Sequence, residues 1–237
     1  MHKPLYNSRY NYGLGPLDPV LSTKISILRS QLMAAGIWAK LTDVFPLAGG
    51  VSTQGLNIRN RTNPLVFTNP DLATFSSLGY SSNAGGYAVC ASAPTLYNSL
   101  SVYASIPTFS VAAPKDIEGL STAVPYVASS NSPGAYIAWS GGTQCYSQLL
   151  RNTTGIVTTN SSKVSYLGTR LAGDTHRVFL DGALVNSAAS VADSTFDINF
   201  WSLGVGSSRV YNFLAFGTEL SVSDAAVFDQ IVKIYRA

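Results

Sequence analysis

The feature that most constrains the fold of this chain is the pair Asp181 and Gly182, which separates two apolar runs of three residues each. A two-residue hairpin turn of type I′ requires positive φ at both central positions, and Asp-Gly adopts that conformation at low cost. The pair therefore predicts two antiparallel strands joined by a tight turn. The β-rich runs 196–201 and 210–216, which are bounded by glycine and serine, predict further strands after it.

The hydrophobic period changes after these runs, and a helix is predicted over residues 222–235. Ser221 and Asp224 have the spacing of a capping box, in which each side chain bonds the other residue's backbone N–H. The apolar residues predicted to form one helical face are Val227, Ile231 and Ile234, flanked by Phe228 and Tyr235. The chain is therefore expected to end in a short amphipathic helix.

A second helix is predicted over residues 20–35. Its apolar residues recur at i, i+4, i+7 and i+11, namely Leu21, Ile25, Leu28 and Leu32. Asp18 or Pro19 starts this helix and Gly36 ends it. Residues 37–41 predict one more short helical turn.

Residues 1–19 carry no hydrophobic period and are rich in Tyr, Asn, Gly and Pro. This composition predicts an extended arm rather than a packed element. Because tyrosine is an efficient contact residue, Tyr6, Tyr10 and Tyr12 are predicted to be assembly contacts with a neighbouring chain.

Between these ends, short apolar runs alternate with turn residues at roughly ten-residue spacing, a pattern typical of a β-sandwich or jelly roll. The runs predicted as strands are 65–67, 73–78, 87–91, 100–104, 124–128, 135–139, 144–150, 163–167 and 177–180. Along 100–105, alternation predicts Ser101, Tyr103 and Ser105 on one face and Leu100, Val102 and Ala104 on the other. Pro114 and Gly119 predict a loop around Glu118.

The simplest partition is one all-β domain with helical additions. We expect an arm over 1–19, a helical segment over 20–42 that packs on the sandwich, and the sandwich itself over 43–237. A single all-β domain can reach 237 residues, so the length does not require a second domain.

The composition favours a protein that packs against neighbours. Only 11% of the residues are charged, the formal net charge is +3, and neutral polar residues are abundant. The densest basic spot, at Arg59 and Arg61, has no aromatic partner in the local sequence and is predicted to be a solvated loop rather than a nucleic-acid site. No secretion signal or membrane-spanning run is visible, so no membrane partner is expected.

Two cysteines, Cys90 and Cys145, are too few for a disulfide scaffold. Both lie in predicted strands, and we interpret them as buried free thiols rather than a bridge. Free thiols are compatible with assembly in a reducing compartment.

The titratable residues do not form a catalytic pattern. A carboxylate-pair glycosidase needs two acids flanking a cleft, and the chain's two glutamates, Glu118 and Glu219, have no partner at strand spacing. His176 is interpreted as structural or solvent-facing rather than as a base. No cofactor is expected; a calcium site is the alternative left open by Asp174, Asp181, Asp193 and Asp197 around the hairpin.

Carbohydrate binding requires aromatic rings beside amide and hydroxyl groups. Such a group surrounds the turn at 140–143 and consists of Tyr136, Trp139, Gln144 and Tyr146. A second group, consisting of Tyr80, Asn83 and Tyr87, surrounds Gly85 and Gly86. For both groups, the competing interpretation is that the aromatic residues belong to the core or to cross-strand pairs.

Several motifs together resemble the concanavalin A-like, laminin-G-like sandwich proteins of tailed bacteriophages. They are the helix end at 34–41, the stretch 75–80, the strand 166–170, the hairpin 179–184 and the closing strand, turn and helix from 213 onward. The resemblance covers about residues 20–236, and its most specific part is the closing motif. It implies a concanavalin A-like jelly-roll sandwich.

The resemblance also implies a function. Members of this group are virion components, so we expect a non-enzymatic structural protein, a capsid decoration or tail accessory protein, made in the cytoplasm of a bacterial host. It would dock to other virion proteins through its N-terminal arm and form a homo-oligomer. The alternative is a receptor-binding, lectin-like module that recognises host surface carbohydrate.

Overall fold

The structure is a computed structural model. It describes residues 18–49, 51–68, 73–77, 79–82, 86–91, 99–106, 117–120, 136–140, 144–148, 156–159, 165–171, 175–189, 200–204 and 210–237. The helices within these ranges are α1 (Pro19–Ala34), α2 (Val51–Gln54) and α3 (Val222–Arg236), with a single 3₁₀ turn at Trp38–Lys40.

The strands within the same ranges number sixteen. They are β1 (Leu41–Phe45), β2 (Val66–Thr68), β3 (Ala73–Ser76), β4 (Gly79–Ser82), β5 (Tyr87–Ala91), β6 (Ser99–Ser105), β7 (Ile117–Leu120), β8 (Tyr136–Ser140), β9 (Gln144–Gln148), β10 (Ile156–Thr159), β11 (Ser165–Leu171), β12 (Thr175–Leu180), β13 (Ala183–Ala189), β14 (Phe200–Leu203), β15 (Val210–Tyr211) and β16 (Phe213–Gly217).

These strands form a sandwich, as predicted. One sheet has six strands in the order β1-β16-β6-β11-β12-β13, the other has seven in the order β10-β9-β8-β7-β14-β5-β2, and β15, β4 and β3 form a small third sheet. All strand pairs are antiparallel. The expected all-β fold with two terminal helices is confirmed.

The molecule has two apolar cores, one on each face of the six-stranded sheet. The first lies between the large sheets, where Trp201 of β14 stacks on Phe216 of β16 with ring centroids 4.6 Å apart. The second lies between the six-stranded sheet and helices α1 and α3, where Phe228 of α3 contacts Tyr103 of β6 at 4.7 Å. The helices therefore form a third layer that covers one sheet.

Strand β6 shows why both faces of this sheet are buried. The predicted alternation is confirmed: Leu100, Val102 and Ala104 belong to the core between the sheets, whereas Tyr103 belongs to the core under the helices. Ser101 and Ser105 share the Tyr103 face and are also buried. Buried polar side chains need hydrogen-bond partners. Small polar residues therefore occur on this face of the strand because a second layer supplies such partners.

Helix α1 begins and ends where its sequence signals predict. The Asp18 carboxylate accepts hydrogen bonds from the backbone N–H groups of Val20 and Leu21, at 2.7 and 3.3 Å. Gly36 follows the helix with φ of +71°. Because Asp18 and Pro19 start the helix, the arm predicted over 1–19 overlaps α1 at its last residues.

Helix α3 confirms the predicted capping box but not the predicted apolar face. The Ser221 Oγ accepts from the Asp224 backbone N–H, and Asp224 Oδ2 accepts from the Ser221 backbone N–H at 2.8 Å. Val227 and Ile234, however, are 44% and 49% exposed. The buried residues are Ala225, Phe228, Asp229, Ile231, Val232 and Tyr235. The helix is rotated toward the bulky Phe228 and Tyr235, since rings bury more area than Val227 or Ile234 would.

The hairpin turn is confirmed and also packs against α3. Asp181 and Gly182 have φ of +49° and +79°, as a type I′ turn requires. A Cβ added at Gly182 would lie 3.0 Å from Asp229 Cβ, so the turn approaches the helix closely. Glycine is therefore needed here for both its positive φ and its lack of a side chain.

Some strands differ from the sequence prediction. The loop predicted around Glu118 is wrong, because residues 117–120 form β7, which pairs with β14 and β8. In the register Gly119 lies opposite Trp201, where a residue without a Cβ leaves room for a large ring. Strand β10 was not expected, β1 begins at Leu41 inside the predicted helical segment, and the predicted strand 124–128 lies outside the described residues.

Cys90 is buried with a free thiol, as predicted. Burial, and after it the charge of Asp43, raises the pKa of this thiol well above its usual value. In the described part of the chain, no helix has the length and apolar character needed to cross a membrane.

Candidate functional site

The sheet register decides which residues of β7, β8 and β9 share a face. Leu203 is buried in the core between the sheets and pairs with Ile117, which pairs with Ile137, which in turn pairs with Ser147. Because neighbours in register lie on the same side of a sheet, this row belongs to the core side. Trp139 is two residues from Ile137 on β8 and is therefore in phase with this row.

The next row lies on the opposite side of the sheet. Ser202 pairs with Glu118, Glu118 pairs with Tyr136, and Tyr136 pairs with Gln148. Along the same two strands, Ala138 pairs with Tyr146 two residues from Tyr136, and Ser140 pairs with Gln144 four residues from it. We call the set on this side the polar face, and its members are Glu118, Tyr136, Gln144, Tyr146 and Gln148.

The register therefore divides the predicted carbohydrate group. Tyr136, Gln144 and Tyr146 hold in-phase positions on the polar face, whereas Trp139 pairs with Cys145 on the other side. Glu118 and Gln148 were missed, since Glu118 was assigned to a loop. The only sequence signal for a strand at Glu118 is the β-branched residue before it within a short apolar run. Pro114 and Gly119 outweigh that signal.

The polar face combines residue types suited to saccharide recognition. Phenol rings supply flat apolar surface with a hydroxyl, glutamine supplies donors and an acceptor, and a carboxylate accepts hydrogen bonds from sugar hydroxyls. The binding role of Tyr136, Trp139, Gln144 and Tyr146 remains a prediction. What the register adds is that three of the four occupy one face.

In the other large sheet, the outer side of β6, β11, β12 and β16 is occupied within the described residues. Tyr103, Leu167, Phe179 and Phe213 of that sheet are buried in the core shared with α1 and α3. Ser202 of β14, which pairs with Glu118 of the polar face, is also buried. The polar face is therefore defined on β7 to β9 and not across the whole seven-stranded sheet.

The second predicted aromatic group is not a surface site. Tyr80 is fully buried and packs against Phe67 and Phe75, with ring centroids 4.8 and 5.6 Å apart. Tyr87 is half-buried on β5, and Asn83 lies outside the described residues. The competing core interpretation is the right one for Tyr80.

A basic patch that the sequence did not predict lies beside β1. The guanidinium carbons of Arg29 and Arg59 lie over the Trp38 ring, 5.5 and 5.3 Å from its centroid. The solvated loop predicted at Arg59 and Arg61 is confirmed, since both residues are exposed outside helices and strands, but folding brings Trp38 to Arg59 from a separate segment. We call Arg29, Trp38 and Arg59 the basic patch.

The two glutamates belong to different parts of the sandwich. Glu219 follows β16 of the six-stranded sheet and makes an ion pair with Arg177, at 2.7 Å. Glu118 lies on β7 of the other large sheet. Glu219 is thus held in a structural contact beside the last strand, as a turn residue, in agreement with the sequence analysis.

His176 is structural. It is completely buried between the sheets and pairs in register with Arg170. Burial, and after it the charge of Arg170, lowers the pKa of His176 to about 4. Burial also lowers the pKa of the Arg170 guanidinium. The imidazole is therefore neutral at pH 7.

A buried polar network joins the hairpin to α3. Asp229 accepts hydrogen bonds from the Tyr103 hydroxyl, at 2.9 Å, and from the Ser165 hydroxyl. Lys233 Nζ lies 2.7 Å from the second Asp229 oxygen. Asp181 Oδ1 accepts from the Ser165 backbone N–H at 3.0 Å. Burial, and then the charge of Asp229, raises the pKa of Tyr103, so its hydroxyl stays a donor.

Metal binding has no support from the described residues, among which no three His, Cys, Asp or Glu side chains converge. Asp181, one of the acids considered for calcium, already serves the turn and Ser165. Asp174, Asp193 and Asp197 lie outside the described residues, as do the predicted assembly contacts Tyr6, Tyr10 and Tyr12. The calcium site and the arm contacts remain predictions.

Comparison with solved structures identifies the fold. The receptor-binding domain of botulinum neurotoxin mosaic serotype C/D matches with a TM-score of 0.61 at 12% identity, over 82% of this chain and 51% of that chain. The chain resembles the binding domains of botulinum neurotoxins in fold. Botulinum neurotoxin type C, whose cell entry depends on two ganglioside molecules, matches with a TM-score of 0.59 at 12% identity, over 84% and 53%. The binding domain of botulinum neurotoxin DC in complex with SialylT matches with a TM-score of 0.54 at 12% identity, over 81% and 51%.

These matches establish the β-sandwich fold and nothing finer. The chain spans about half the length of the toxin domains it matches. No family model and no curated protein sequence matches it. The expected sandwich agrees with this fold, whereas the concanavalin A-like and bacteriophage parts of the expected resemblance remain predictions.

Proposed function

We propose that this chain is a non-catalytic carbohydrate-binding module and that the polar face is its binding surface. The observation that carries the proposal is the register, which brings Tyr136, Gln144, Tyr146, Glu118 and Gln148 to one side of β7, β8 and β9. The fold supports it as well, since the similar solved structures are binding domains of toxins, among them one in complex with SialylT.

The polar face would bind a neutral or acidic sugar by two kinds of contact. A pyranose ring has apolar C–H patches that pack on a phenol ring, while its hydroxyls bond to amide and carboxylate groups. Tyr146 lies on the middle strand of β8, β9 and β10, so it has register neighbours on both sides. We therefore expect Tyr146 to contribute most.

The test is glycan-array binding by the full chain, followed by titration of any glycan that binds. Tyr146→Ala is expected to weaken binding about tenfold or more, whereas Tyr146→Phe, which keeps the ring, should stay within about threefold. Leu184→Ala is the matched control, because it truncates an exposed side chain on β13 of the other sheet. Circular dichroism checks that each variant is folded.

Two results would refute the proposal. One is a wild-type chain that binds no glycan on the array. The other is a Tyr146→Ala variant that is folded and binds as tightly as the wild type, which would place recognition elsewhere on the molecule.

The second candidate is a virion accessory protein, a capsid decoration or tail component that assembles in a bacterial host. The observation that favours it is a set of exposed apolar side chains on the helical layer, namely Val20, Ile27, Met33, Val222, Val227 and Ile234. Large exposed apolar side chains grouped on one layer are typical of surfaces that contact another protein. The arm before α1 would dock to neighbouring virion proteins from the same layer.

This candidate is tested by assembly. Light scattering should report a homo-oligomer for the full chain, and Ile27→Glu with Val227→Glu should convert it to a monomer. Deletion of residues 1–17, which leaves the Asp18 cap of α1 in place, should keep the fold and abolish incorporation into particles. A monomeric wild-type chain, or normal incorporation of the truncated chain, would contradict the assembly role.

A further inference from the structure

We infer that the basic patch is a second ligand site, which binds a carboxylate group of an acidic saccharide. The inference rests on the proposed function for the saccharide class of the ligand. Arg29 comes from α1, Trp38 from the 3₁₀ turn, and Arg59 from the segment between α2 and β2. Both guanidinium groups lie over the same indole, and both arginines are exposed.

Both arginines bring their guanidinium groups to the same indole. A guanidinium over an aromatic ring has one planar surface covered by the ring, so its N–H donors point sideways from the contact. A planar fork of donors matches the two oxygens of a carboxylate. Two such groups at one indole place two positive charges on one small surface.

Arg59 is preorganised by a buried polar network. Its Nε donates to the Leu41 carbonyl oxygen, at 3.0 Å. Its backbone N–H donates to Asn57 Oδ1 at 3.1 Å, and Asn57 Nδ2 donates to the Asp43 carboxylate at 2.6 Å. Asp43 and Asn57 are both 1% exposed. The Arg59 segment is thereby anchored to β1, and binding a ligand costs less ordering of the side chain.

The charge of the basic patch is not neutralised by the described residues. No carboxylate in the described ranges forms an ion pair with Arg29 or Arg59. The nearby Lys40 is paired with Asp224, at 2.6 Å. The Asp43 carboxylate is buried, and Asn57 and Asn63 already donate to it. Within the described residues, both guanidinium groups therefore remain available to an external anion.

A nucleic acid fits these observations less well. Nucleic-acid binding draws on many phosphate contacts along a basic stripe, whereas this chain has a net charge of only +3. Trp38 is half-buried and its ring already contacts two guanidinium groups, so it is not available as a stacking platform for bases. A carboxylate on a saccharide requires only one donor fork, which either arginine supplies.

The experiment titrates the full chain with polygalacturonate, whose sugars carry carboxylates, and with neutral dextran. Polygalacturonate is expected to bind, and Arg29→Ala or Arg59→Ala should weaken binding about tenfold or more. Arg29→Lys and Arg59→Lys should recover only part of the loss, because lysine keeps the charge without the fork. Lys24→Ala is the matched control, since it removes an exposed charge from α1 outside the patch.

Four results would overturn the inference. The first is a loss of polygalacturonate binding in Lys24→Ala equal to that in Arg59→Ala, and the second is full recovery of binding in both lysine variants. The third is binding of dextran equal to that of polygalacturonate. The fourth is tighter binding of dextran sulfate or a thymidine oligonucleotide, with the same dependence on Arg29 and Arg59. The Tyr146→Ala variant separates this site from the polar face. Loss of polygalacturonate binding only in Tyr146→Ala refutes a ligand site at the basic patch. Loss of binding only in the arginine variants supports that site, even where the polar face binds no glycan.

Discussion

Lowering the pH is expected to destabilise the fold through His176, which is completely buried between the two large sheets beside Arg170. The unfolded chain binds a proton at His176 below about pH 6.5. The folded chain does not bind it until about pH 4, since burial and the charge of Arg170 lower the pKa of the imidazole. A depressed histidine pKa means that the unfolded state binds more protons between these values, so stability is lost as the pH falls through this window.

The size of the effect follows from the difference between the two pKa values. Within the window, each pH unit lowers the free energy of unfolding by about 1.4 kcal/mol. Integrating the linkage relation from about pH 7 to about pH 5 yields a loss of about 2 kcal/mol from this residue. A loss of that size is a substantial fraction of the stability of an ordinary domain.

The assay is urea unfolding of the wild type and of His176→Gln at several pH values across this range. Carboxylates also titrate near its lower end, so the informative quantity is the difference between the two pH profiles. We expect the wild type to lose about 2 kcal/mol more than the variant on going from about pH 7 to about pH 5.

Parallel profiles for the wild type and His176→Gln would refute this reasoning. They would mean that His176 has the same pKa in the folded and unfolded chains, and hence that it is hydrated or that a nearby anion supports its charged form. A wild-type profile that rises as the pH falls would contradict the sign as well as the size.

Three further substitutions test the contacts around α3, each by the change in the free energy of urea unfolding. Tyr103→Phe should cost about 1–3 kcal/mol, because it removes a donor from the buried Asp229 carboxylate; an unchanged midpoint would mean that this bond adds nothing. Gly182→Ala should cost about 1–2 kcal/mol, since alanine is strained at φ of +79°, and a neutral result would show that the turn relaxes. Ser221→Ala should cost about 1 kcal/mol by removing the cap, whereas Val222→Ala, on an exposed position, should change little.

Local signals in the sequence predicted the elements whose cause is local. The Asp181 and Gly182 turn, the Asp18 cap of α1 and the Ser221 cap of α3 each depend on residues within four positions of one another. Strand β5 was predicted with its observed bounds, because its apolar run is flanked by glycines on one side and polar turn residues on the other. For such elements the chain needs no distant partner to specify the backbone.

The misassigned elements depend on distant partners. Strand β7 contains Gly119, which argues against a strand until its position opposite Trp201 is known. The buried face of α3 differs from the predicted one because Phe228 packs against Tyr103 and Phe213 of the sheet. In both cases the deciding contact spans far more of the chain than any local pattern covers.

The candidate sites show the same division. Sequence composition alone brought Tyr136, Trp139, Gln144 and Tyr146 together as a possible glycan group. Only the register separated Trp139 from the other three. The side of a sheet to which a strand position belongs is set by its pairing with strands that carry core residues such as Leu203. The basic patch had no sequence signal, since its three members come from separate segments.

What the sequence by itself determined is the class of the fold and the ends of its helices, because alternation, turn residues and caps act over a few positions. What only the tertiary structure decided is which side of each strand and helix is covered. That choice depends on which layers meet. Helices α1 and α3 cover the six-stranded sheet, whereas the polar face belongs to the seven-stranded sheet. The surfaces proposed here to bind ligands are defined by that packing, and so they could not be assigned before it was known.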